Sequence, residues 1–350
     1  MPPSQKRPTI GDIARRAGVS KGAVSFALND RPGVSAATRQ RILEIAQELN
    51  WRPNSAAQAL GQARAGVIGF VLNRPARILG TETFFPELLS GIELGLSPTH
   101  TALHMLVVST VEEELETYRE WWHAHRVDGV IVVDPRANDP RTALLEQLGL
   151  PAVQIGSHAS RGGAVPTVWI DDAEAARTLF GYMAALGHRR IAHVAGTAAF
   201  EHTLLRAQTL EQCVSQFELE WGQSTPTDYS AEAAASETRR LLSQASRPTA
   251  IVYDNDVMAA AGLRVAHEMG VAVPSQLAIA SFDDSLMMRL VRPSITALTR
   301  DTVELGEVAA RTLLELLAGD GAASSVPGPQ PELSVRESTA PPPGARRSRA

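Results

Sequence analysis

The chain has 350 residues, of which 44% are hydrophobic, and its formal net charge is −5. This length allows two or three domains with a substantial core, and the composition is that of an ordinary globular protein. No apolar stretch approaches the ~18 residues of a membrane span, and the first ten residues lack the apolar run of a signal peptide, so we expect a cytoplasmic protein. The single cysteine, Cys213, excludes an intramolecular disulfide and a cysteine-based zinc site.

The charge is unevenly distributed along the chain. Residues 1–64 carry ten lysines and arginines against four acidic residues, which gives this part +6 and leaves −11 for the remainder. A basic head on an acidic body indicates an anionic partner for the head alone. A chance excess of arginine on a solvated surface would give the same numbers.

Residues 9–50 predict three short helices. Thr9 can cap the first helix, and Gly18 supplies the left-handed residue that ends it. Ser20 is a natural N-cap for the second helix, and Ser35 begins the third. Two helices joined by a tight glycine turn and followed by a third form a helix-turn-helix unit, whose second helix enters the major groove of DNA with its N-terminal residues foremost.

The second helix opens with residues that suit such a role. Lys21 can reach a phosphate or a guanine edge, while the small Gly22 and Ala23 let the backbone approach the duplex. Phe26 lies one turn later on the outer side, where it can contact a thymine methyl group. The alternative is that Phe26 supplies aromatic volume to the core of the small head.

After residue 66, short apolar runs alternate with longer amphipathic stretches, which indicates parallel α/β sheets. Eight runs over about 270 residues fit two doubly wound subdomains better than one sheet, and an eight-stranded barrel is the alternative. The predicted strands are 67–72, 104–109, 129–133, 153–155, 168–170, 191–195, 250–252 and 278–281. The predicted helices are 86–96, 112–125, 173–186, 256–269 and 303–317. Residues 332–338 can add a late strand, and residues 341–350 are expected to be disordered.

Residues 9–60 resemble the head of LacI/GalR-type transcriptional regulators. The resemblance is carried by the Asp-Ile-Ala start, the Ala-Gly-Val-Ser turn, the Val-Ser pair of the second helix, the Val-Ser and Thr-Arg pairs entering the third, and Pro-Asn before an alanine-rich segment. It implies a helix-turn-helix DNA-binding domain over residues 1–52 and a hinge helix with a linker over residues 53–65.

The resemblance also implies roles in DNA binding. Lys21 and Gly22 are expected to read bases, and Ala23 and Phe26 replace the threonine and arginine common in the family. The expected phosphate contacts, which position the head without specifying sequence, are Ser20, Ser25, Asn29, Thr38 and Arg39.

The hinge segment, residues 55–60, is too short to be helical alone in water. By resemblance, two hinges pack against each other on DNA, and Asn54, Ala57 and Leu60 contact the DNA. Leu60 is the apolar wedge that opens a central base step from the minor groove. A flexible alanine-rich linker with Leu60 docked on the body is the alternative.

Residues 66–340 resemble the effector-binding and dimerisation domain of the same family, which is similar to periplasmic sugar-binding proteins. The matching motifs are GVIGFVL, VDGVIVVD, LGHRRIAHVAG, AIVYDNDVMAAAGLRVAHEMGVAVPSQLAIASFDD and SVREST. We expect an N-subdomain of about residues 66–167 and 298–323 and a C-subdomain of about residues 168–297 and 324–340. The predicted fold is thus an N-terminal all-α helix-turn-helix head plus an α/β body of two doubly wound parallel-sheet subdomains.

Polar side chains that follow the predicted strands are candidates for an effector site, because ligands of open α/β sheets bind beyond the carboxyl ends of the strands. Aspartate, asparagine and arginine can together donate to and accept from several hydroxyl groups of a sugar. By resemblance the core contacts are Arg206, Asn255 and Asp283, with Tyr229 closing the cleft and Phe84 or Phe85 facing it. Asn73 is a weaker candidate, as are Arg74 and Arg300. Helix capping by Asp256 and Asp284, a surface position for Arg206 and a core position for Tyr229 are the alternatives.

These features predict a DNA-binding transcriptional regulator, by family habit a repressor. It would bind a near-palindromic double-stranded operator as a homodimer, under the control of a small polar effector such as a sugar. No cofactor or metal is expected, since the HExxH, GxSxG and GxxxxGK[ST] patterns are absent from the sequence. The alternative is a small-molecule-binding protein or a carbohydrate-active enzyme whose head mediates assembly.

Overall fold

The computed structural model describes residues 8–51, 64–75, 80–158, 163–319 and 324–340. The chain divides into two compact units, residues 1–65 and residues 66–350, which we call the head and the body. Within the described ranges, no helix is both long enough and apolar enough to cross a bilayer. The predicted hinge contacts Asn54, Ala57 and Leu60 lie outside the described residues, as does the predicted disordered tail.

The head contains the three predicted helices, and their ends form as the sequence predicts. The side chains of Thr9, Ser20 and Ser35 each accept a hydrogen bond from a backbone N–H in the first turn of the helix that follows. Gly18 ends the first helix in the left-handed region, with φ of 68°. The helices are α1 (Ile10–Ala17), α2 (Lys21–Leu28) and α3 (Ala36–Glu48).

The core of the head is small and aliphatic, and Phe26 is not part of it. The Phe26 side chain is 42% exposed, and its ring edge lies against Gly33. The aromatic-core alternative for Phe26 is therefore wrong. The buried residues that join the three helices are Ile13, Ala14, Ala17, Val24, Ala27, Ile42, Ile45 and Ala46.

The body contains two six-stranded sheets, and both have the same strand order. The first has the order β11-β5-β4-β3-β1-β2 and the second β12-β10-β9-β8-β6-β7. All pairings are parallel except that of β12 with β10. Two open sheets exclude the eight-stranded barrel. The first sheet comprises β1 (Val67–Asn73), β2 (Ala102–Val108), β3 (Gly129–Val132), β4 (Ala152–Ser157), β5 (Thr167–Ile170) and β11 (Val326–Pro327); the second comprises β6 (Arg190–Ala195), β7 (Trp221–Pro226), β8 (Ala250–Tyr253), β9 (Ala278–Ser281), β10 (Thr296–Thr299) and β12 (Glu332–Ser334).

Helices connect these strands and cover the sheets. The central strands β3, β8 and β9 are buried at every residue, which explains why they read as continuous apolar runs. The helices of the body are α4 (Phe84–Leu96), α5 (Val111–His123), α6 (Pro140–Leu148), α7 (Asp172–Ala185), α8 (Glu201–Gln216), α9 (Ala231–Leu242), α10 (Asp256–Glu268), α11 (Leu286–Leu290) and α12 (Thr302–Ala318).

The chain crosses between the two subdomains at three places, and each lies a few residues after the expected boundary. Strand β5 pairs with β4, so the first crossing follows residue 170 rather than residue 167. Strand β10 pairs with β9, and the second crossing follows residue 299 rather than residue 297. Strand β11 pairs with β5, which moves the third crossing beyond residue 327. The approximate expected boundaries differ from these crossings by a few residues, because strand pairing places the whole of β5, β10 and β11 with their own sheets.

Helices α4 and α12 pack against each other through their backbones. A Cβ atom on Gly91 would lie 1.9 Å from the carbonyl oxygen of Val303, and one on Gly306 would lie 2.3 Å from that of Leu88. This close packing fixes where the two helices begin. Both beginnings, near residues 84 and 302, lie at the carboxyl edge of the first sheet.

We predict that Gly91→Ala destabilises the body, because the added methyl group meets a backbone carbonyl that cannot turn aside. Overpacking of this kind costs about 1–3 kcal/mol, more than the helix propensity gained by alanine. Urea unfolding measures the difference. Gly80→Ala is the matched control, since no heavy atom lies within 4 Å of its Cβ position. Equal stabilities of the two variants would contradict the tight-packing account.

Candidate functional site

The body contains a cleft where the carboxyl edges of the two sheets face each other. The space between its walls, part of which is open to solvent, is about 700 Å³. The residues that line it come from both subdomains. The polar and aromatic members are Arg74, Glu82, Phe84, Phe85, Asp134, Ser157, Asp172, His202, Arg206, Tyr229, Asp254, Asn255, Asp283 and Arg300.

The shared strand order explains this concentration of polar side chains. In each sheet the strand order reverses beside the first strand, between β1 and β3 and between β6 and β8. Such switch points leave a crevice beyond the carboxyl ends of the strands. Arg74 and Asp134 follow β1 and β3, and Asn255 follows β8. The cleft therefore joins the switch points of the two sheets.

Five of the six residues predicted for the effector site line this cleft, and one does not. Asn73 is the last residue of β1 and lies outside the lining, whereas its neighbour Arg74 is part of it. Successive residues of an extended segment point in opposite directions, so a one-residue difference decides which side chain reaches the cleft. The five that line it are Phe85, Arg206, Tyr229, Asn255 and Asp283.

Arg206 is buried in α8 and held by two carboxylates. It donates to Asp254 Oδ1 at 2.8 Å and to Asp172 Oδ1 at 2.8 Å. Burial opposes the charge of Arg206, but these carboxylates raise its pKa above the ordinary value. Asp254 also accepts from His193 Nε2 at 3.0 Å and from the Gly196 amide at 2.6 Å. Although burial alone would raise the pKa of Asp254, its positive partners lower it, so both groups are charged and rigidly oriented.

Arg74 extends from the first subdomain to aromatic rings of the second. Its guanidinium carbon lies 4.3 Å from the ring centre of Phe200 and 4.4 Å from that of Tyr229. Its Nε donates to Asp134 Oδ2 at 2.8 Å. Cation–π contacts of this kind contribute about 0.5–2 kcal/mol when desolvated. Arg74 thus connects the two walls of the cleft.

Tyr229 forms a fixed wall of the cleft. Its backbone is left-handed, with φ of 66°, and its hydroxyl group is hydrogen-bonded to His202 Nε2 at 2.6 Å and to Thr203 Oγ1 at 3.1 Å. A Cβ atom on Gly196 would lie 1.8 Å from Cζ of the ring, so only glycine leaves room for it. Burial, and after it the charge of Arg206, lowers the pKa of His202.

Asn255 and Glu82 meet across the cleft. Asn255 is the N-cap of α10, since its Oδ1 accepts from the Met258 amide at 2.8 Å. Its Nδ2 donates to Glu82 Oε1 at 2.5 Å. Burial raises the pKa of Glu82 to about 7, Arg74 opposes the rise, and the charge of Asp283 adds to it. The cleft therefore holds a carboxyl group that titrates near neutral pH.

Asp283 lines the cleft, whereas its neighbour Asp284 has a structural role. Asp283 Oδ1 accepts from Arg300 at 2.7 Å. Asp284 accepts two hydrogen bonds from Arg336, at 2.6 and 2.8 Å, which tie the end of the chain to the loop after β9. Asp256 does not line the cleft, and its Oδ1 accepts from the following amide at 2.8 Å. Asn255, not Asp256, is the capping residue of this pair.

Sequence reasoning missed five polar residues of the lining, one of which is Ser157 at the end of β4. Asp134 and Asp172 come two residues after the ends of β3 and β5, as Asn255 does after β8, so the rule that selected Asn255 could have found them. His202 reaches the cleft from the start of α8. Glu82 precedes α4 and follows no strand, and the sequence contains no local signal for it. Among the described residues, no group of three or more acidic, histidine or cysteine residues is placed to hold a metal ion.

The head presents the predicted reading residues on one surface. Lys21 and Gly22 are exposed at the first turn of α2, Ala23 is half-buried, and Phe26 is exposed one turn later. The Lys21 side chain lies back against α1, with its Cε 3.3 Å from a Cβ position on Gly11.

Most of the predicted phosphate contacts already bond within the head. Ser20 Oγ caps α2, and Thr38 Oγ1 is 2.8 Å from Ser35 Oγ. Asn29 donates to the Ser25 carbonyl oxygen at 2.9 Å. Arg39 donates to Asp30 at 2.5 Å and to the Arg31 carbonyl oxygen at 2.8 Å, so in the free head its charge is partly neutralised.

We predict that Glu82 makes the stability of the body depend on pH. Its pKa is higher in the folded state than the ordinary value of 4.5, so the folded state binds more protons and the free energy of unfolding falls as the pH rises towards about 7. Relative to Glu82→Gln, the wild type should lose about 1–3 kcal/mol between about pH 5 and about pH 8. Urea unfolding at several pH values measures this difference, and a constant difference would contradict the burial of a titrating carboxyl group.

Comparison with known proteins places both units of the chain. The model of bacterial regulatory proteins of the lacI family matches residues 9–54, and that of the periplasmic binding protein-like domain matches residues 180–339. The HTH-type transcriptional regulator AglR of Rhizobium meliloti is 30% identical over 342 residues, which cover 95% of each chain.

Solved structures show the same relationship. A LacI family transcriptional regulator from Bifidobacterium animalis subsp. lactis has 34% identity and a TM-score of 0.73, covering 80% of this chain and 99% of that one. A complex of the transcriptional regulator CelR with cellobiose has 27% identity and a TM-score of 0.70, covering 95% of this chain and all of the other. These relatives are regulators, so the protein is a DNA-binding transcriptional regulator and not an enzyme. The head, the body and the full-length relatives all match the same family, and the chain belongs to the LacI family of bacterial transcriptional regulators.

Proposed function

We propose that the protein is a cytoplasmic repressor that binds a near-palindromic operator as a homodimer and that a sugar in the cleft changes its affinity for DNA. The observation that carries this proposal is the cleft itself, in which charged and amide side chains of both subdomains converge beside the Tyr229 ring. A site of this kind, in a body attached to a DNA-binding head, suits regulation by a small polar molecule.

In this proposal the first turn of α2 reads bases. Lys21 and Phe26 contact base edges in the major groove, and the small Gly22 and Ala23 let the helix approach closely. The hinge residues Asn54, Ala57 and Leu60 contribute from the minor groove as the resemblance implies, with Leu60 as the wedge. Two heads then require two half-sites related by a twofold axis.

The cleft is the proposed effector site. A polyhydroxylated ligand suits it, because Asn255 and the arginines can donate while the carboxylates accept, and the Tyr229 ring offers an apolar face to a sugar ring. The relative CelR is described in complex with cellobiose at 27% identity, which makes cellobiose the first ligand to test.

Coupling to DNA follows from the contacts that join the subdomains. Asn255 and Glu82 bond across the cleft, and Arg74 packs on Tyr229. A ligand that replaces these contacts has different affinities for the open and closed arrangements of the subdomains, which is the requirement for a shift between them. A coupling free energy of about 1–3 kcal/mol is typical of such linkage.

The proposal is tested by incubating the purified protein with fragmented genomic DNA of its source and sequencing the retained fragments, with and without a pool of sugars. An enriched inverted repeat whose retention changes with the sugars supports a dimeric, effector-controlled reader. Retention of a single half-site contradicts the dimer. Absence of any enriched sequence under both conditions contradicts base reading by α2.

We predict that Phe26→Ala weakens binding to the selected repeat by roughly tenfold or more, since a lost base contact costs about 1–3 kcal/mol. The stability of the head should change little, because Phe26 lies outside its core. Fluorescence anisotropy with the selected repeat and a scrambled duplex measures both affinities. The matched control is Leu43→Ala, an equally exposed apolar residue on α3 at 43%. Equal losses for both variants would rule out groove contact by Phe26.

We predict that Asp283→Ala abolishes the response of DNA binding to the active sugar and leaves operator affinity unchanged. The carboxylate of Asp283 accepts from Arg300 in the cleft, so its loss removes an acceptor for a ligand hydroxyl group and frees a guanidinium. Operator titrations with and without the sugar measure the response. Glu315→Ala, on the exposed side of α12, is the control. A retained response in the Asp283 variant would remove this residue from the site.

A further inference from the structure

We propose that the effector is uncharged or carries an ammonium group, but no phosphate or carboxylate group, and that Glu82 is the residue that determines this specificity. This inference rests on the proposed effector role of the cleft. It adds the chemical class of the ligand and a residue that the sequence did not indicate.

The positive charges of the cleft are already matched by negative ones. Each arginine in its lining donates to carboxylates of the same lining at 2.7–2.8 Å: Arg74 to Asp134, Arg206 to Asp172 and Asp254, and Arg300 to Asp283. Within the described part of the lining, an anionic ligand would therefore meet a carboxylate beside every guanidinium. Taking one from its carboxylate would leave a buried charge without a partner, which is strongly unfavourable.

The hydrogen-bonding capacity of the cleft leads to the same conclusion. Ionised carboxylates only accept hydrogen bonds, and four arginine-paired carboxylates line the cleft beside Glu82. A ligand must therefore offer donors. Hydroxyl and ammonium groups of a ligand donate hydrogen bonds to carboxylates. Phosphate and carboxylate groups of a ligand would instead place their acceptor oxygens against the carboxylate oxygens of the cleft, and both would be negatively charged.

Glu82 differs from the other four carboxyl groups because no arginine of the described lining donates to it. The hydrogen bond that it accepts comes from the neutral amide of Asn255, and its side chain is 8% exposed. Glu82 belongs to the first subdomain and Asn255 to the second. A ligand hydroxyl or ammonium group that enters between them replaces Asn255 as the donor to Glu82.

The environment of Glu82 supports this assignment. Its pKa is raised by burial and by the nearby charge of Asp283, and Arg74 opposes the rise without cancelling it. A carboxyl group in such surroundings gains from a donor of positive charge. The same surroundings would repel a second anion.

The first experiment measures ligand binding to the full-length protein by calorimetry with matched sets of sugars. Glucose, galactose and mannose are each used as the free hexose, the 2-amino sugar, the uronic acid and the 6-phosphate, together with cellobiose. We expect binding by a free, disaccharide or amino sugar and at least roughly tenfold weaker binding of its acidic forms. Tighter binding of a phosphate or uronic acid would overturn the proposal, and so would the absence of binding by every free and amino sugar.

The second experiment tests Glu82 through the selectivity between ligands. Glu82→Gln keeps the size of the side chain and its ability to accept, but it removes the charge. We expect the ratio of amino-sugar to free-sugar affinity to fall roughly tenfold in this variant, while the acidic forms bind no worse than before. Glu93→Gln, an exposed position on α4, should leave the ratio unchanged. A purely structural role of Glu82 would weaken all sugars equally, and that result would remove it as the specificity residue.

The DNA-retention assay separates failure of this inference from failure of the proposed function. If an enriched operator responds to a phosphorylated or acidic sugar, the regulatory function stands and the ligand class proposed here is wrong. If no operator is enriched while free sugars bind and Glu82→Gln changes the selectivity, the ligand class stands and the proposed DNA reading is wrong.

Discussion

The body depends on one constraint, which is that buried charges must be paired. Arg206, Arg74 and Arg300 are each held by carboxylates that follow different strands, so pairing fixes the loops at the carboxyl edges of both sheets. Breaking a buried pair by removing one partner costs about 3–5 kcal/mol, which is much of the stability of an ordinary domain. As a consequence, the charged side chains of the cleft are fixed in position. That rigidity is what allows the cleft to select a ligand by its charge.

Sequence reasoning predicted the fold well where one local rule acted alone. The caps at Thr9, Ser20 and Ser35 and the left-handed Gly18 each follow from the chemistry of one or two residues. Fully buried strands were found as apolar runs. Strand β7 was missed because it lies at the edge of its sheet. Each of its residues is at least partly exposed, so its sequence contains no continuous apolar run. The subdomain crossings lie a few residues from the expected bounds, because strand pairing, not composition, decides to which sheet a segment belongs.

The site was predicted less completely, for a physical reason. Residues that directly follow a strand could be found from the order of the chain, as Asn255 and Asp283 were. Whether such a residue points into the cleft depends on the phase of the strand, and this distinguishes Arg74 from Asn73. Glu82 precedes α4 and follows no strand, and its side chain meets Asn255 at the start of α10. No single-sequence rule describes a contact that depends on two distant helices.

The same contacts limit how a ligand can act on the body. Arg74 covers the face of Tyr229 against which a sugar ring would stack, and Glu82 accepts a hydrogen bond from the side-chain amide of Asn255. Because both contacts join the two subdomains, a ligand cannot bind at either place without altering what holds the subdomains together. Affinity and regulation therefore depend on the same residues. A substitution that strengthens the ligand-free contacts should weaken binding and stabilise the ligand-free arrangement by the same free energy, since the linkage between the two is reciprocal.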